Sequence, residues 1–369
     1  MVRKNEHVPT QNNFHFMENP MTDTFSHPSF DGHEQVIFVH DPAVDLHGII
    51  AIHNTALGPA AGGCRMLPYP TVDDALTDVL RLSQGMTFKS SVAGLPLGGG
   101  KCVIIADPNG PGKQDKLKAM AKHVQRLGGQ FWTAIDVGVS SADADIMAEE
   151  CEYIFARASQ YPDGFEPSGF TALGGFHGIR ATAQHLNGSD SLTNVRVAIQ
   201  GVGATGSNLI KHLQDHGAIV TVADVNEKLV EKMVDQFGVS VVSPDVIHAA
   251  DVDIFAPCAL GAILNDQSIP ELKARAVCGL ANNQLKRPEH GQQLTDRNIA
   301  YVPDFVVNAG GMMGASTVIF STPDRDQSIE RSGGIYDTVL EILNRAKATG
   351  KPSAEIAEKM AREIVSAEN

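Results

Sequence analysis

The segment from Asn194 to Asp224, NVRVAIQGVGATGSNLIKHLQDHGAIVTVAD, constrains the fold more than any other stretch of this chain. NVRVAIQ and AIVTVAD are short runs rich in Val and Ile that read as strands, and SNLIKHLQDHG between them reads as a helix. Gly201, Gly203 and Gly206 make GxGxxG at the junction of the first strand and the helix. There the first glycine permits a tight turn, the second lets a pyrophosphate approach the backbone at the helix N-terminus, and the third lets helix and strand pack closely. Ala204 lies in the same turn. Asp224 closes the second strand about twenty residues on, where a carboxylate accepts hydrogen bonds from an adenosine ribose and repels a 2′-phosphate. The segment reads as a site for NAD in preference to NADP. The plainer alternative, a strand-to-helix turn with Asp224 capping VNEKLVEKM, leaves the joint register of motif, strand, helix and acid unexplained.

Later runs VDIFAPCA, RAVCGLAN and IAYVPDFVV continue the strand pattern, which predicts a parallel, doubly wound sheet in the second half. A chain of 369 residues has room for two domains or three. Ahead of this half, QVIFVHD and LHGIIAIHNT read as strands and GPAAGGCR as a glycine-punctuated loop. A helix is expected after Thr71 through VDDALTDVLRLSQG, a buried strand at CVIIAD, and helices over Asp115–Leu127 and from Ser141 to about Tyr153. Residues 1–30 are polar and read as a loosely packed arm. TALGGFHGIRATAQHL reads as a connecting helix, and two helical runs beginning near Tyr336 close the chain.

A net charge of −14 argues against a nucleic-acid backbone or an anionic membrane as the main partner. The arm lacks the apolar core of a signal peptide, no run is long enough to span a bilayer, and the five cysteines form no CxxC pair. Those features fit a cytoplasmic protein with no metal site.

The chemistry is expected in MTFKSSVAGLPLGGGK, Met86 to Lys101, which sets Lys89 and Lys101 in an otherwise uncharged run. A lysine in apolar surroundings loses solvation of its ammonium, which lowers its pKa toward the range useful for proton transfer. The triplet Gly98–Gly100 removes side-chain bulk and reads as clearance for a substrate, the plainer alternative being a glycine-rich turn. A P-loop is excluded, because GxxxxGK[ST] requires glycine at Leu95 and a hydroxyl at Cys102. FWTAIDVGVSS adds one acid, Asp136. Taken alone, these are two surface lysines and a turn aspartate. Together they suit a substrate that bears a carboxylate and a carbon that becomes electron-poor.

GPAAGGCRM, MTFKSSVAGLPLGGGKCVIIADP, IDVGVSSADADIM, VDIFAPCALGAILND, ANNQL and PDFVVNAGG, in this order around the GxGxxG turn, resemble the amino-acid dehydrogenases that oxidise leucine, valine or phenylalanine. The resemblance runs from about His33 to the C-terminus and weakens between Met312 and about Ser332. It implies an N-terminal α/β substrate domain (31–165), a Rossmann NAD domain (166–330), C-terminal helices that return to the first domain (331–369), and an active site in the cleft. It also implies NAD-dependent oxidative deamination to a 2-oxo acid and ammonia, by a homo-oligomer. Carried onto this chain, Lys89 holds the substrate carboxylate, Lys101 is the general base, and Asp136 exchanges protons with the amino group. By the same resemblance Asn308 lies near the amine and the cofactor, Asn282 and Ala259 lie along the nicotinamide, and Thr171 lies near its amide.

This chain departs from that pattern in places. Gly169 stands where proline is usual, the turn ends in Gly206 where many members have alanine, and MMGASTVIFSTPDRD replaces a valine-rich continuation. Glutamate dehydrogenases carry a lysine for the distal carboxylate where this chain has Ala61. An apolar substrate side chain is therefore expected, and the resemblance implies a pocket of Ala61, Gly62, Met86, Ala134, Met312 and Ala315 for it. The rival readings are the same chemistry on tryptophan or glutamate, and a non-catalytic NAD sensor.

Overall fold

The structure, a computed structural model, describes residues 24–161, 167–259, 261–320 and 325–368. Most of the N-terminal arm lies outside them. The first layer holds β1 (Gln35–Asp41), β2 (Leu46–Asn54), β3 (Ala60–Leu67), α1 (Val72–Val92), β4 (Gly98–Ile105), α2 (Lys113–Gln125), β5 (Phe131–Ala134) and α3 (Ser141–Ala148). Its sheet order is β1-β2-β4-β3-β5; β1 and β4 run antiparallel to β2, and β3 runs parallel to both β4 and β5. One face is covered by α1, where Ala75, Leu76, Val79 and Leu80 meet Ile49, Ala51 and Val103. The other carries a core that includes Leu117, Met120 and Val124 of α2 and Ala144 and Met147 of α3. Each large aliphatic side chain buried there contributes about 1.5–3 kcal/mol.

Thr71 caps α1 as expected, its Oγ1 accepting from the Asp74 amide at 3.0 Å. The helix then continues past Gly85 to Val92, which places Lys89 in its last turn. GPAAGGCR is no loop: its apolar small residues form the buried strand β3. The glycine triplet is likewise no turn but the start of β4, and each glycine is buried. A Cβ at Gly98 would sit 2.0 Å from the Asn54 carbonyl oxygen, at Gly99 2.1 Å from the Thr87 amide, and at Gly100 2.6 Å from the Phe131 ring. The clearance serves β4's own packing between β2, α1 and β5, not a substrate.

The long α4 (Pro167–Asn187) leads into β6 (Arg196–Gln200), α5 (Ala204–Asp215), β7 (Ile219–Ala223), α6 (Glu227–Phe237), β8 (Ser240–Val241), β9 (Ile254–Pro257), α7 (Ser268–Glu271), β10 (Ala276–Val277), α8 (Glu289–Asp296) and β11 (Ala300–Tyr301). This sheet is parallel throughout, in the order β11-β10-β9-β6-β7-β8. Counted from β6, that is the doubly wound 3-2-1-4-5-6 arrangement, with the glycine turn at the point where the order reverses. IAYVPDFVV gives only the short β11, because Pro303 ends it and begins α9 (Asp304–Val307). Four helices follow, α10 (Gly310–Ala315), α11 (Thr317–Phe320), α12 (Arg325–Thr349) and α13 (Ser353–Ala367). Within the described residues α12 starts well before Tyr336, and α13 lies against α1. Among the described residues no helix is long and apolar enough to cross a membrane.

Candidate active site

A cavity of about 460 Å³ opens between the two layers. Helix α1 presents Arg81, Leu82, Gly85, Met86 and Lys89 to it along one face, as a 3.6-residue period requires. Strand β4 contributes Lys101, whose neighbour Cys102 points into the core by strand alternation. Asp136 follows β5 in a tight turn closed by the Val139 amide donating to the Asp136 carbonyl at 2.9 Å. Gly138 supplies the positive φ of 80° that this turn needs. Gly63 lets the loop close onto β3, since a Cβ there would be 2.4 Å from the Ile135 carbonyl oxygen.

Lys101 Nζ pairs directly with Asp136 Oδ2, and both side chains are largely buried. Arg65 of β3 holds the other oxygen, its Nη2 donating to Oδ1 at 3.3 Å, and the Val137 amide donates to the same oxygen at 2.5 Å. Burial alone would raise the Asp136 pKa; Lys101 and then Arg65 outweigh it and bring the carboxyl down to about 2. Lys89 differs. Burial lowers its ammonium to about 8, only partly offset by the charge of Asp304, and Lys101 adds a further downward push. Asp304, at the start of α9, is itself raised, chiefly by burial, although it accepts from the Gln284 amide at 2.9 Å.

Across the cleft stand Thr171 of α4, Asn282 and Asn283, Asn308 after α9, and Met312 and Ala315 of α10. Asn308 Nδ2 donates to Asn282 Oδ1 at 2.7 Å, which leaves Asn308 Oδ1 buried without a hydrogen-bond partner. Thr171 Oγ1 donates to the Pro167 carbonyl at 3.0 Å. Thr205, in the first turn of α5, also lines the cavity, so the glycine turn opens toward it.

That turn leaves its backbone open at the start of α5. Gly201 has φ of 97°, and a Cβ on it would be 2.7 Å from that of Ala259. Gly206 would meet the Gly201 carbonyl oxygen at 2.0 Å, whereas Gly203 faces open space. Gly203 and Ala204 are exposed, and no side chain caps the N-terminus of α5. Those free amides and that space are what a pyrophosphate uses. Asp224 Oδ2 accepts from the Val202 amide at 2.8 Å and Oδ1 from the Asn226 amide at 2.8 Å, so the acid braces the turn. The cap of α6 is Asn226 rather than Asp224.

The cavity thus gathers Lys89, Lys101, Asp136, Gly62, Met86, Ala134, Asn308, Met312, Ala315, Thr171 and Asn282. Ala61 is not part of its wall: it lies on the same face of β3 as Gly63 and Arg65 but is fully buried, in the core cluster that also holds Phe88, Ala134 and Phe155. Arg65 and Asp304 are wall residues that sequence pattern missed. Arg65 was hidden because its strand reads as a loop, although a lone arginine in an apolar run was as strong a signal as either lysine. Asp304 was hidden by reading α9 as strand, despite Pro303-Asp304 ahead of an apolar run, a helix-start signature.

A doubly wound sheet with a nucleotide-binding turn, facing a second α/β layer across a cleft that holds a lysine–aspartate pair, defines a two-domain dehydrogenase. Residues 33–153 match the family model of the Glu/Leu/Phe/Val dehydrogenase dimerisation domain, and 167–233 and 225–322 that of the glutamate/leucine/phenylalanine/valine dehydrogenases. Leucine dehydrogenase of Geobacillus stearothermophilus is 42% identical over 333 residues, 90% of each chain. Valine dehydrogenase of Streptomyces virginiae is 43% identical over 352 residues, 95% of this chain and 98% of the other. Among solved structures, L-tryptophan dehydrogenase from Nostoc punctiforme superimposes with a TM-score of 0.81 at 40% identity, over 91% of this chain and 97% of that one. The chain belongs to the Glu/Leu/Phe/Val dehydrogenase family, whose members are amino-acid oxidoreductases that use a nicotinamide cofactor.

Proposed function

We propose that this protein catalyses the reversible, NAD-dependent oxidative deamination of an apolar L-amino acid of the leucine, valine or phenylalanine type to a 2-oxo acid and ammonia. The observation that carries the reading is the Lys101–Asp136 pair facing Lys89, which has no ion pair among the described residues, in one cavity that Thr205 of the glycine turn also lines. Lys89 takes the α-carboxylate as a charge-assisted donor. Asp136 exchanges protons with the amino nitrogen, and Lys101, once its ammonium has released a proton to solvent, takes a proton as the neutral amine from the water that attacks the imine carbon. The Gly201–Gly206 turn and Asp224 hold the dinucleotide, with Thr171, Ala259, Asn282 and Asn308 near the nicotinamide; bound there, the cofactor accepts the hydride from Cα. Asp224 favours NAD over NADP by opposing a 2′-phosphate.

The apolar part of the wall, including Met86, Ala134, Leu280, Phe305, Met312 and Ala315, receives the side chain. Lys101 and Arg65 are committed to aspartates, which leaves Lys89 as the partly buried wall cation for the α-carboxylate, with Arg81 exposed at the α1 side of the cavity. The likeness to an L-tryptophan dehydrogenase makes tryptophan the second substrate to try. A panel of leucine, valine, phenylalanine, tryptophan and glutamate, each with NAD and NADP, tests the reading through reduced-cofactor absorbance. NADH with apolar substrates and little reaction with glutamate is expected; no turnover of any of them would sink the assignment. The family's dimerisation domain supports a homo-oligomer, and sedimentation as a monomer would contradict that.

A further inference from the structure

Arg65 is the centre of the charged wall. Its guanidinium spans two carboxylates, with Nη1 donating to Asp78 Oδ2 at 2.9 Å and Nη2 to Asp136 Oδ1 at 3.3 Å. The Tyr69 hydroxyl donates to the same Asp78 oxygen at 2.6 Å. The five groups come from separate places: Arg65 from β3, Tyr69 from the loop after it, Asp78 from α1, Lys101 from β4 and Asp136 from the loop after β5. The charged and titratable groups acting on Asp136 are Lys101, Arg65, the more distant Lys89 of α1, Tyr69, and the buried Cys64 thiol beside Arg65.

We propose that Arg65, anchored by Asp78 and Tyr69, is a positioning residue that keeps the Asp136 carboxylate ionised and turned with Oδ2 toward Lys101. The inference rests on the reading of Asp136 as the group that exchanges protons with the substrate nitrogen. A carboxylate facing one ammonium in a half-dry cleft can relax to a neutral pair by accepting its proton, and it can rotate away. A second cation on the other oxygen opposes both. Arginine suits the task because its planar fork stays charged and reaches two acids at once, whereas a lysine supplies a single point charge. Two cations, Arg65 and Lys101, balance two carboxylates, Asp78 and Asp136, so the cluster buries little net charge. Burial works against the charge on Arg65, but Asp136 and Asp78 outweigh it and raise its pKa.

The test uses the full chain with NAD and its best amino-acid substrate, comparing Arg65→Gln, Asp78→Asn, Asp136→Asn and the double variant Arg65→Gln/Asp136→Asn. Arg65→Gln is expected to lower kcat about 100-fold, to leave the KM for NAD within about threefold, and to move the acidic limb of kcat/KM to higher pH. Asp78→Asn shifts both in the same direction by less, about tenfold in kcat. The double variant is expected to be no slower than Asp136→Asn alone, since Arg65 acts only through Asp136. An Arg65→Gln enzyme with unchanged kcat and pH profile, or a double variant slower than Asp136→Asn by the full single-variant factor, overturns the proposal. If Arg65→Gln does not fold, Asp78→Asn and Arg65→Lys decide it by the same shift of the acidic limb. An Asp136→Asn enzyme that stays active instead removes the underlying reading of Asp136, whatever Arg65 does.

Discussion

Arg362 of the last helix donates to Asp31 Oδ2 at 2.9 Å, and its guanidinium lies 4.9 Å from the centroid of the Phe88 ring, next to Lys89 in α1. The end of the chain thereby holds the helix that carries a substrate-cavity lysine. The pair is half-exposed, so its worth is set by screened charge plus the ring contact. Arg362→Ala is expected to cost about 1 kcal/mol and to lower the melting temperature by about 1–2 °C. An unchanged melting curve would refute the latch.

Behind that pair, His53 lies 3.5 Å from Asp31 and its Nδ1 bonds Thr87 Oγ1 at 2.8 Å, with the His33 ring 4.8 Å away. Burial, then the charge of His33, lowers the His53 pKa from 6.5 to about 4, and burial also lowers His33. The folded state therefore keeps both rings neutral while the unfolded chain takes up protons below about 6.5. Their contribution is intact above that pH and is lost as pH falls below it, that of His53 progressively down to about 4. Thermal melts from pH 7.5 to 4.5 should show the decline, and His53→Gln should flatten it. A wild-type melting point independent of pH over that range would contradict the sign.

Lys89 gives a second pH dependence, at the alkaline end. Its ammonium, lowered to about 8 by burial, is the form that binds a carboxylate. Affinity for a 2-oxo acid, which has no amine of its own to titrate, should weaken by up to about tenfold per pH unit above that value. Lys89→Met should bind weakly at every pH with no such slope. Wild-type affinity that holds constant to pH 10 would argue against Lys89 as the carboxylate site.

Three glycines should respond differently to alanine. Gly99→Ala puts a Cβ 2.1 Å from the Thr87 amide in a packed interior, with an expected cost of about 3 kcal/mol or failure to fold. Gly206→Ala would meet the Gly201 carbonyl at 2.0 Å and should cost about 1–3 kcal/mol. Gly203→Ala meets nothing, so its melting point should hold while the KM for NAD rises. Urea melts and cofactor titrations separate the three; a Gly203→Ala protein with normal cofactor affinity would detach that glycine from the dinucleotide.

The local code carried a good part of this. The 3.6 period after Thr71, the parallel-strand runs and the glycine turn with Asp224 specify elements through residues close in sequence, and the doubly wound sheet followed from their alternation. Lys89, Lys101 and Asp136 stood out as charges in apolar runs, and the fold brings all three to one cavity. What tertiary structure alone decided is which neighbours those groups meet. Arg65 reaches Asp136 across 71 residues of chain and Asn308 reaches Asn282 across 26, contacts no periodicity announces. Burial on α1 lowers the pKa of Lys89 against the opposing charge of Asp304, while packing buries Ala61 beneath the cavity wall and assigns the glycine triplet to the interior. Desolvation and close contact depend on what lies on every side of a group, and that is known only once β3, β4, β5 and α1 are assembled.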